Sequence, residues 1–120
     1  MGFWELFKRK DDAIDINEAV ERMNREEGAV LLDVREPFEY MVGHIPGARN
    51  LPVTRIQQAE YQAPNMAMPV FVYCKTGGRS TRAARILRSL GYRDVWNAGA
   101  IEGYKGPLVS GMEDNNDAEK

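Results

Sequence analysis

The chain holds a single cysteine, Cys74, and a single histidine, His44. One cysteine excludes an internal disulfide, a zinc centre built from several thiolates and a redox pair within the chain. One histidine leaves little scope for imidazole-based metal chemistry. No apolar run approaches the roughly 18–20 residues that a membrane span requires. Net charge is small as well: 16 Lys and Arg against 18 Asp and Glu leave −2, which provides no general field for nucleic acid. No period of 20–50 residues repeats along the chain. A length of 120 residues suits one domain on one core.

What is present reads as strands alternating with helices. Asn17 is placed as a helix N-cap, with Val20 and Met23 following at helical spacing and Gly28 as a stop. Residues 29–33 (AVLLD) form a short continuous apolar run, as expected of a strand buried on both faces. Pro37 reads as the first position of a short helix with Glu36 at its cap, Glu39 in its first turn and Gly43 at its end. Residues 44–52, rich in Pro and Gly, read as an extended crossing segment, and residues 53–60 as another helix. A strand over Val70–Tyr73 ends at Cys74. A helix from Ser80 carries Ala83, Ala84, Ile86, Leu87 and Leu90 on one face and stops at Gly91. A last strand over 95–97 and a helical turn around 101–104 complete the series.

Residues 1–12 are set apart as an amphipathic segment, 13–109 as the folded domain, and 110–120 as a polar, disordered tail. In the first segment, Phe3, Trp4, Leu6 and Phe7 precede three basic residues. Packing onto the domain or self-association is the first reading, and contact of residues 3–10 with a membrane surface is the second. Apolar residues before basic ones are not the order of a secretory signal, so a reducing cytoplasm is the expected compartment.

Alternating strands and helices imply a parallel sheet covered on both faces, with ligands met beyond the carboxyl ends of the strands. Cys74 falls at that edge. A thiol becomes a nucleophile on losing its proton, near pH 8.5 for a free cysteine. In the loop CKTGGRS (residues 74–80), three features favour the thiolate. The helix that follows aims its unpaired N–H groups back at the loop. Gly77 and Gly78 allow successive N–H groups to turn inward as an anion cradle. Arg79 and Lys75 add full charges. A core cysteine acting as a small apolar residue has no use for such a cradle.

Cysteine-dependent phosphatases resemble this loop but place one more residue between cysteine and arginine. The shorter loop resembles that of the rhodanese family. Residues 31–40 (LLDVREPFEY), 43–52 (GHIPGARNLP) and 97–107 (NAGAIEGYKGP) resemble other signatures of that family, so the match runs from about Asp15 to Leu108. It differs in having Ala after Gly99, where a second glycine is usual, and Tyr104 where Trp is frequent. The resemblance implies an α/β fold, a five-stranded parallel sheet flanked by helices on both faces.

It also implies a sulfurtransferase. Cys74 would attack the outer sulfur of thiosulfate, a polysulfide or a low-molecular-weight persulfide, become a persulfide, and pass the sulfur to cyanide or a thiol, including a protein thiol. By the same resemblance Lys75, Thr76, Gly77, Gly78 and Arg79 bind the substrate, with Arg79 organising the loop and holding the anion. No metal or organic cofactor is called for, and nucleic acid is not an expected partner. Asp33 and Arg35, at a strand end, are read as supports that fix loops by a salt bridge or hydrogen bonds, and Ser80 as a further loop support. Two readings compete: a rhodanese-like binding module without activity, and a cysteine-dependent phosphatase or arsenate reductase.

Overall fold

The computed structural model describes residues 12–112. The aromatic and basic positions expected to form the N-terminal segment, and tail residues 113–120, lie outside them.

Helix α1 (Ile16–Arg25) is capped by Asp15, whose carboxylate accepts the N–H groups of Asn17 at 2.9 Å and Glu18 at 3.2 Å. The cap thus stands two residues before the expected Asn17. An aspartate satisfies the orphan first-turn donors equally well, and Asn17 is used elsewhere. Its side chain donates to the Gly103 carbonyl and accepts from the Lys105 N–H, both at 2.9 Å, tying the end of the domain to its first helix.

Strand β1 (Val30–Asp33) and strand β3 (Val70–Cys74) are buried at every position. Helix α2 (Pro37–Val42) begins with Pro37 and ends at Gly43, whose N–H bonds to the Glu39 carbonyl. The crossing segment contains a two-residue strand, β2 (Arg49–Asn50). The helix expected over 53–60 is a kinked 3₁₀ segment (Val53–Tyr61), interrupted at Arg55 and Gln58. Its buried residues Val53, Ile56 and Ala59 recur every third position, so a three-residue turn keeps them on one side. Helix α3 (Gly78–Ser89) starts two residues earlier than expected. Strand β4 (Val95–Ala100) runs three residues longer, because Gly99 and Ala100 still pair with Tyr73 and Cys74, and a 3₁₀ turn follows (Ile101–Gly103).

All pairings in the sheet are parallel, in the order β2-β1-β3-β4. Four strands replace the expected five among the described residues. The fifth is reduced to one parallel bridge, Ala13 to Asn97, on the free edge of β4. Asp15 turns the chain into α1 two residues later, leaving no room for a longer pairing in that direction.

Strand side chains alternate between two cores. Leu31, Phe71 and Tyr73 pack with Ile16, Ala19, Tyr40 and Ile45 beneath α1 and α2. Leu32, Val72 and Cys74 pack with Ile56, Ala83 and Leu87 beneath α3 and the 3₁₀ segment. This two-sided burial is why β1 and β3 read as unbroken apolar runs. Cys74 therefore points to the α3 side at the carboxyl end of an interior strand.

Candidate active site

Strand β3 delivers Cys74 to the sheet edge, and the chain then turns back over it. The Gly77 N–H lies 2.9 Å from Sγ and the Ser80 N–H 3.3 Å from it. The Ser80 hydroxyl, 3.5 Å from Sγ, donates to the Gly77 carbonyl at 3.0 Å, and the Thr81 hydroxyl donates to the same carbonyl at 2.8 Å. Gly77 has φ +106°, a backbone conformation that L side chains rarely adopt. That conformation lets the chain enter α3 directly after wrapping the sulfur. Gly78 is already the first helical residue.

Burial pushes the Cys74 thiol up, since the charged form loses water. The Ser80 hydroxyl, when it turns from the Gly77 carbonyl to the sulfur, and the backbone N–H groups of Ser80, Gly77 and Thr76 pull it down, and the result is a thiol below its ordinary value. The loop stabilises a thiolate through backbone donors, as a cradle for an anion does.

Arg79 points to α2. Its Nη1 and Nη2 meet Oε1 and Oε2 of Glu39 at 2.7 and 3.1 Å. The Arg79 guanidinium holds the Glu39 carboxyl down to about 2. Glu39 Oε1 also accepts the Glu36 N–H at 2.8 Å.

Asp33 and Arg35 form a buried ion pair with contacts from 2.6 to 3.1 Å. Arg35 Nη2 also donates to the Gly43 carbonyl at 2.7 Å, so the pair braces the end of α2. Asn50 Nδ2 donates to the carbonyls of Asp33 and Arg35, both at 3.0 Å. The support is relayed: Asp33 holds Arg35, Arg35 holds α2, and Glu39 on α2 holds Arg79. His44 stacks on Tyr40 with ring centroids 3.6 Å apart, and its Nδ1 lies 2.8 Å from the Tyr40 carbonyl. Its backbone N–H and carbonyl pair with Val109, which fixes the segment after α2.

The match to a known family falls on this frame: residues 15–106 fit the rhodanese-like domain. The chain belongs to the rhodanese family. Among curated rhodanese relatives, the thiosulfate sulfurtransferase PspE of Escherichia coli is 37% identical over 81 residues, 67% of this chain and 78% of PspE. A putative mitochondrial thiosulfate sulfurtransferase of Schizosaccharomyces pombe is 40% identical, over 63% of this chain and 62% of its own. The Bacillus subtilis protein YqhL is 44% identical, over 58% of this chain and 54% of its own. The match thus spans just over half to nearly two thirds of these last two relatives. Among solved structures, a rhodanese with anions from E. coli superposes with a TM-score of 0.66 at 34% identity, over 69% of this chain and 99% of that one. The human single-domain sulfurtransferase TSTD1 superposes with a TM-score of 0.66 at 28% identity, over 77% of this chain and 93% of its own.

Within this rhodanese, Cys74, Thr76, Gly77 and Ser80 converge on the sulfur. Lys75, the next residue in the chain, is exposed. Arg79 reaches Glu39, and Asp33 and Arg35 stand on the α2 side of the sheet. Sequence reasoning misses the Glu39–Arg79 pairing, since its members lie 40 residues apart and no local spacing announces them.

Proposed function

We propose that this rhodanese is a sulfurtransferase that carries sulfane sulfur as a persulfide on Cys74. Support comes above all from one observation: Sγ accepts backbone N–H groups from Gly77 at 2.9 Å and Ser80 at 3.3 Å, in a loop that lowers the thiol. Such a cradle suits an anionic sulfur, first the thiolate and then the terminal sulfur of a persulfide. The relatives named thiosulfate sulfurtransferase lend the same support.

The thiolate of Cys74 attacks the outer sulfur of thiosulfate, a polysulfide or a small persulfide. The new Cys–S–S bond forms as the donor's S–S bond breaks, and the electron pair of that bond leaves with sulfite or with the donor thiolate. Cyanide or a thiol, including a protein thiol, then attacks the terminal sulfur and releases the Cys74 thiolate. Charge balances in both halves: thiolate and thiosulfate give persulfide anion and sulfite, with no oxidant consumed. Each half is a displacement at sulfur in which one bond forms as another breaks, so no cofactor enters. The backbone of Lys75–Arg79 lines the cradle, while Ser80, Asp33 and Arg35 keep the loop and α2 in place. Ping-pong kinetics follow from two half-reactions on one residue. The cytoplasm is the proposed compartment. No helix among the described residues is long and apolar enough to cross a membrane.

Intact-protein mass spectrometry after brief exposure to thiosulfate, with and without cyanide, tests the reading. A one-sulfur gain that cyanide removes and Cys74→Ser abolishes is the expected result. No gain with thiosulfate, polysulfide or a small persulfide would overturn it in favour of a binding module.

A further inference from the structure

Among the described residues, six large apolar side chains are exposed: Phe38, Met41, Val42, Tyr61, Leu108 and Met112. They are not scattered. Phe38, Met41 and Val42 lie on α2, and residues 108–112 return beside them. Leu108 sits against the end of that helix, where a Cβ on Gly43 would stand 3.4 Å from its Cδ1. The Met41 carbonyl accepts the Gly111 N–H at 2.8 Å. Tyr61 and Met112 line one open cleft of about 320 Å³ together with Pro37, the residue before Phe38. Single exposed apolar residues need no explanation, but six gathered around one cleft mark a contact surface.

This surface adjoins the nucleophile without belonging to its cradle. Glu39, between Phe38 and Met41 on α2, reaches Arg79 at 2.7 Å. The groups that converge on Sγ come from residues 76–80, so a small sulfur compound held there has no use for the α2 face. A protein that brings its own thiol to Cys74 does. The surface also has a sign. Arg55 lines the cleft, and Arg82 follows Arg79 by three positions, one turn on along the same side of α3. Both are exposed, and neither takes part in an ion pair among the described residues.

Neither end of the chain suits this face. Residues 113–120 contain no large apolar side chain. The apolar residues of the opposite end are followed by Lys8, Arg9 and Lys10, of the same sign as Arg55 and Arg82. That end joins the sheet at Ala13, in one row with Asn97, Val72, Leu32 and Arg49. Four strand spacings, about 19 Å, separate it from the edge that bears the cleft. A bilayer, being flat, presents no projection to fill a cleft.

We infer that the α2 face and its cleft dock an acidic protein that delivers the acceptor thiol, with an apolar side chain of that protein entering the cleft and its carboxylates meeting Arg55 and Arg82. The inference rests on the sulfur-transfer reading above and names the class of its acceptor. An apolar centre excludes water in such contacts, and complementary charge orients the encounter. The partner's thiolate attacks the terminal sulfur of the Cys74 persulfide. The S–S bond breaks, its electron pair returns to Cys74, and the partner leaves as the persulfide.

For the test, the full chain is loaded with sulfur from thiosulfate or polysulfide, freed of donor and discharged by a thiol while intact mass is followed. The thiols are mercaptoethanol and two synthetic peptides, each with one cysteine and a Leu-Phe pair, flanked by aspartates in one and by lysines in the other. Each thiol is compared with itself across variants, because flanking charge alters a cysteine's own reactivity. Val42 and Tyr61 are both 82% exposed, so replacing them leaves the core intact. Val42→Ser with Tyr61→Ser should slow the aspartate peptide about tenfold. Arg55→Glu with Arg82→Glu should slow it by about the same factor and speed the lysine peptide. Mercaptoethanol should discharge every variant at the wild-type rate. An aspartate peptide indifferent to either pair of substitutions overturns the inference, as does a charge reversal that moves both peptides in the same direction. An equal fall with mercaptoethanol would place the defect in the cradle and overturn it as well. So would wild type that dimerises in sedimentation, or floats with phosphatidylserine vesicles, and ceases to do so in Val42→Ser with Tyr61→Ser, since a second copy or a membrane would then be the occupant. All these outcomes leave sulfur loading of the wild type untouched. Wild type that loads no sulfur from any donor defeats the sulfur-transfer reading, and the inference with it.

Discussion

Gly77 donates its N–H to the Cys74 sulfur at 2.9 Å while holding φ at +106°. One residue thus supplies a donor to the thiolate and the turn that makes the donor available. A Cβ at Gly77 would meet no atom within 4 Å, so the cost of a side chain there lies in the backbone. Gly77→Ala should lose about 1–2 kcal/mol of stability from the unfavourable φ. If the peptide flips to relieve it, the sulfur loses a donor. Urea unfolding measures the first effect, and an upward shift in the pH midpoint of iodoacetamide alkylation measures the second.

The thiol itself should titrate below the ordinary value of about 8.5 for a free cysteine. Its folded value is depressed, so the folded state gains stability as pH rises through the folded value towards the unfolded one. Alkylation followed from pH 5 to 10 should reach its plateau early, and Ser80→Ala should move the midpoint up. A wild-type midpoint at or above that of a free cysteine would contradict the cradle described above.

Glu39 behaves in the opposite pH range. Its folded carboxyl titrates at about 2, against about 4.3 for an unfolded glutamate. The stability it contributes is therefore present in full above about pH 4.3 and is lost as pH falls towards 2. Wild type and Glu39→Gln, compared by urea midpoint, should differ most at neutral pH and converge in acid. Both partners are partly solvent-exposed, so the neutral-pH difference should shrink in high salt.

Asp33 is fully buried, and Arg35 nearly so. Asp33→Ala leaves a buried guanidinium without its counter-ion and should destabilise the domain by about 3–5 kcal/mol. Replacing both with apolar residues of similar volume should cost less, because the desolvation of the charge disappears with it. Urea unfolding of Asp33→Ala and the double variant decides between them: equal loss in both would show that packing, not the unpaired charge, dominates.

Legibility from sequence follows how local each signal is. The runs ending at Asp33 and Cys74 announce buried strands because both faces of the sheet are covered, and the Gly-Gly-Arg-Ser sequence announces the cradle because it is contiguous. Asn17 reads as the cap because Asp15 and Asn17 are both competent caps, and only the position of Gly103 and Lys105 decides which is free. The 3₁₀ segment resembles a helix since Val53, Ile56 and Ala59 fit either period over so short a span. The Glu39–Arg79 fork is illegible for a different reason. It joins two elements that meet only after the sheet has formed.

Cys74 is the last residue of a strand with neighbours on both sides, and its donors come from the turn that the next helix completes. An unfolded chain carries the same cysteine with none of these groups near it. The lowered thiol is thus a property of the finished fold. An opened molecule holds an ordinary thiol without these donors. The pH at which the thiol titrates, and not its bare rate of alkylation, is therefore what distinguishes the folded protein from the opened chain.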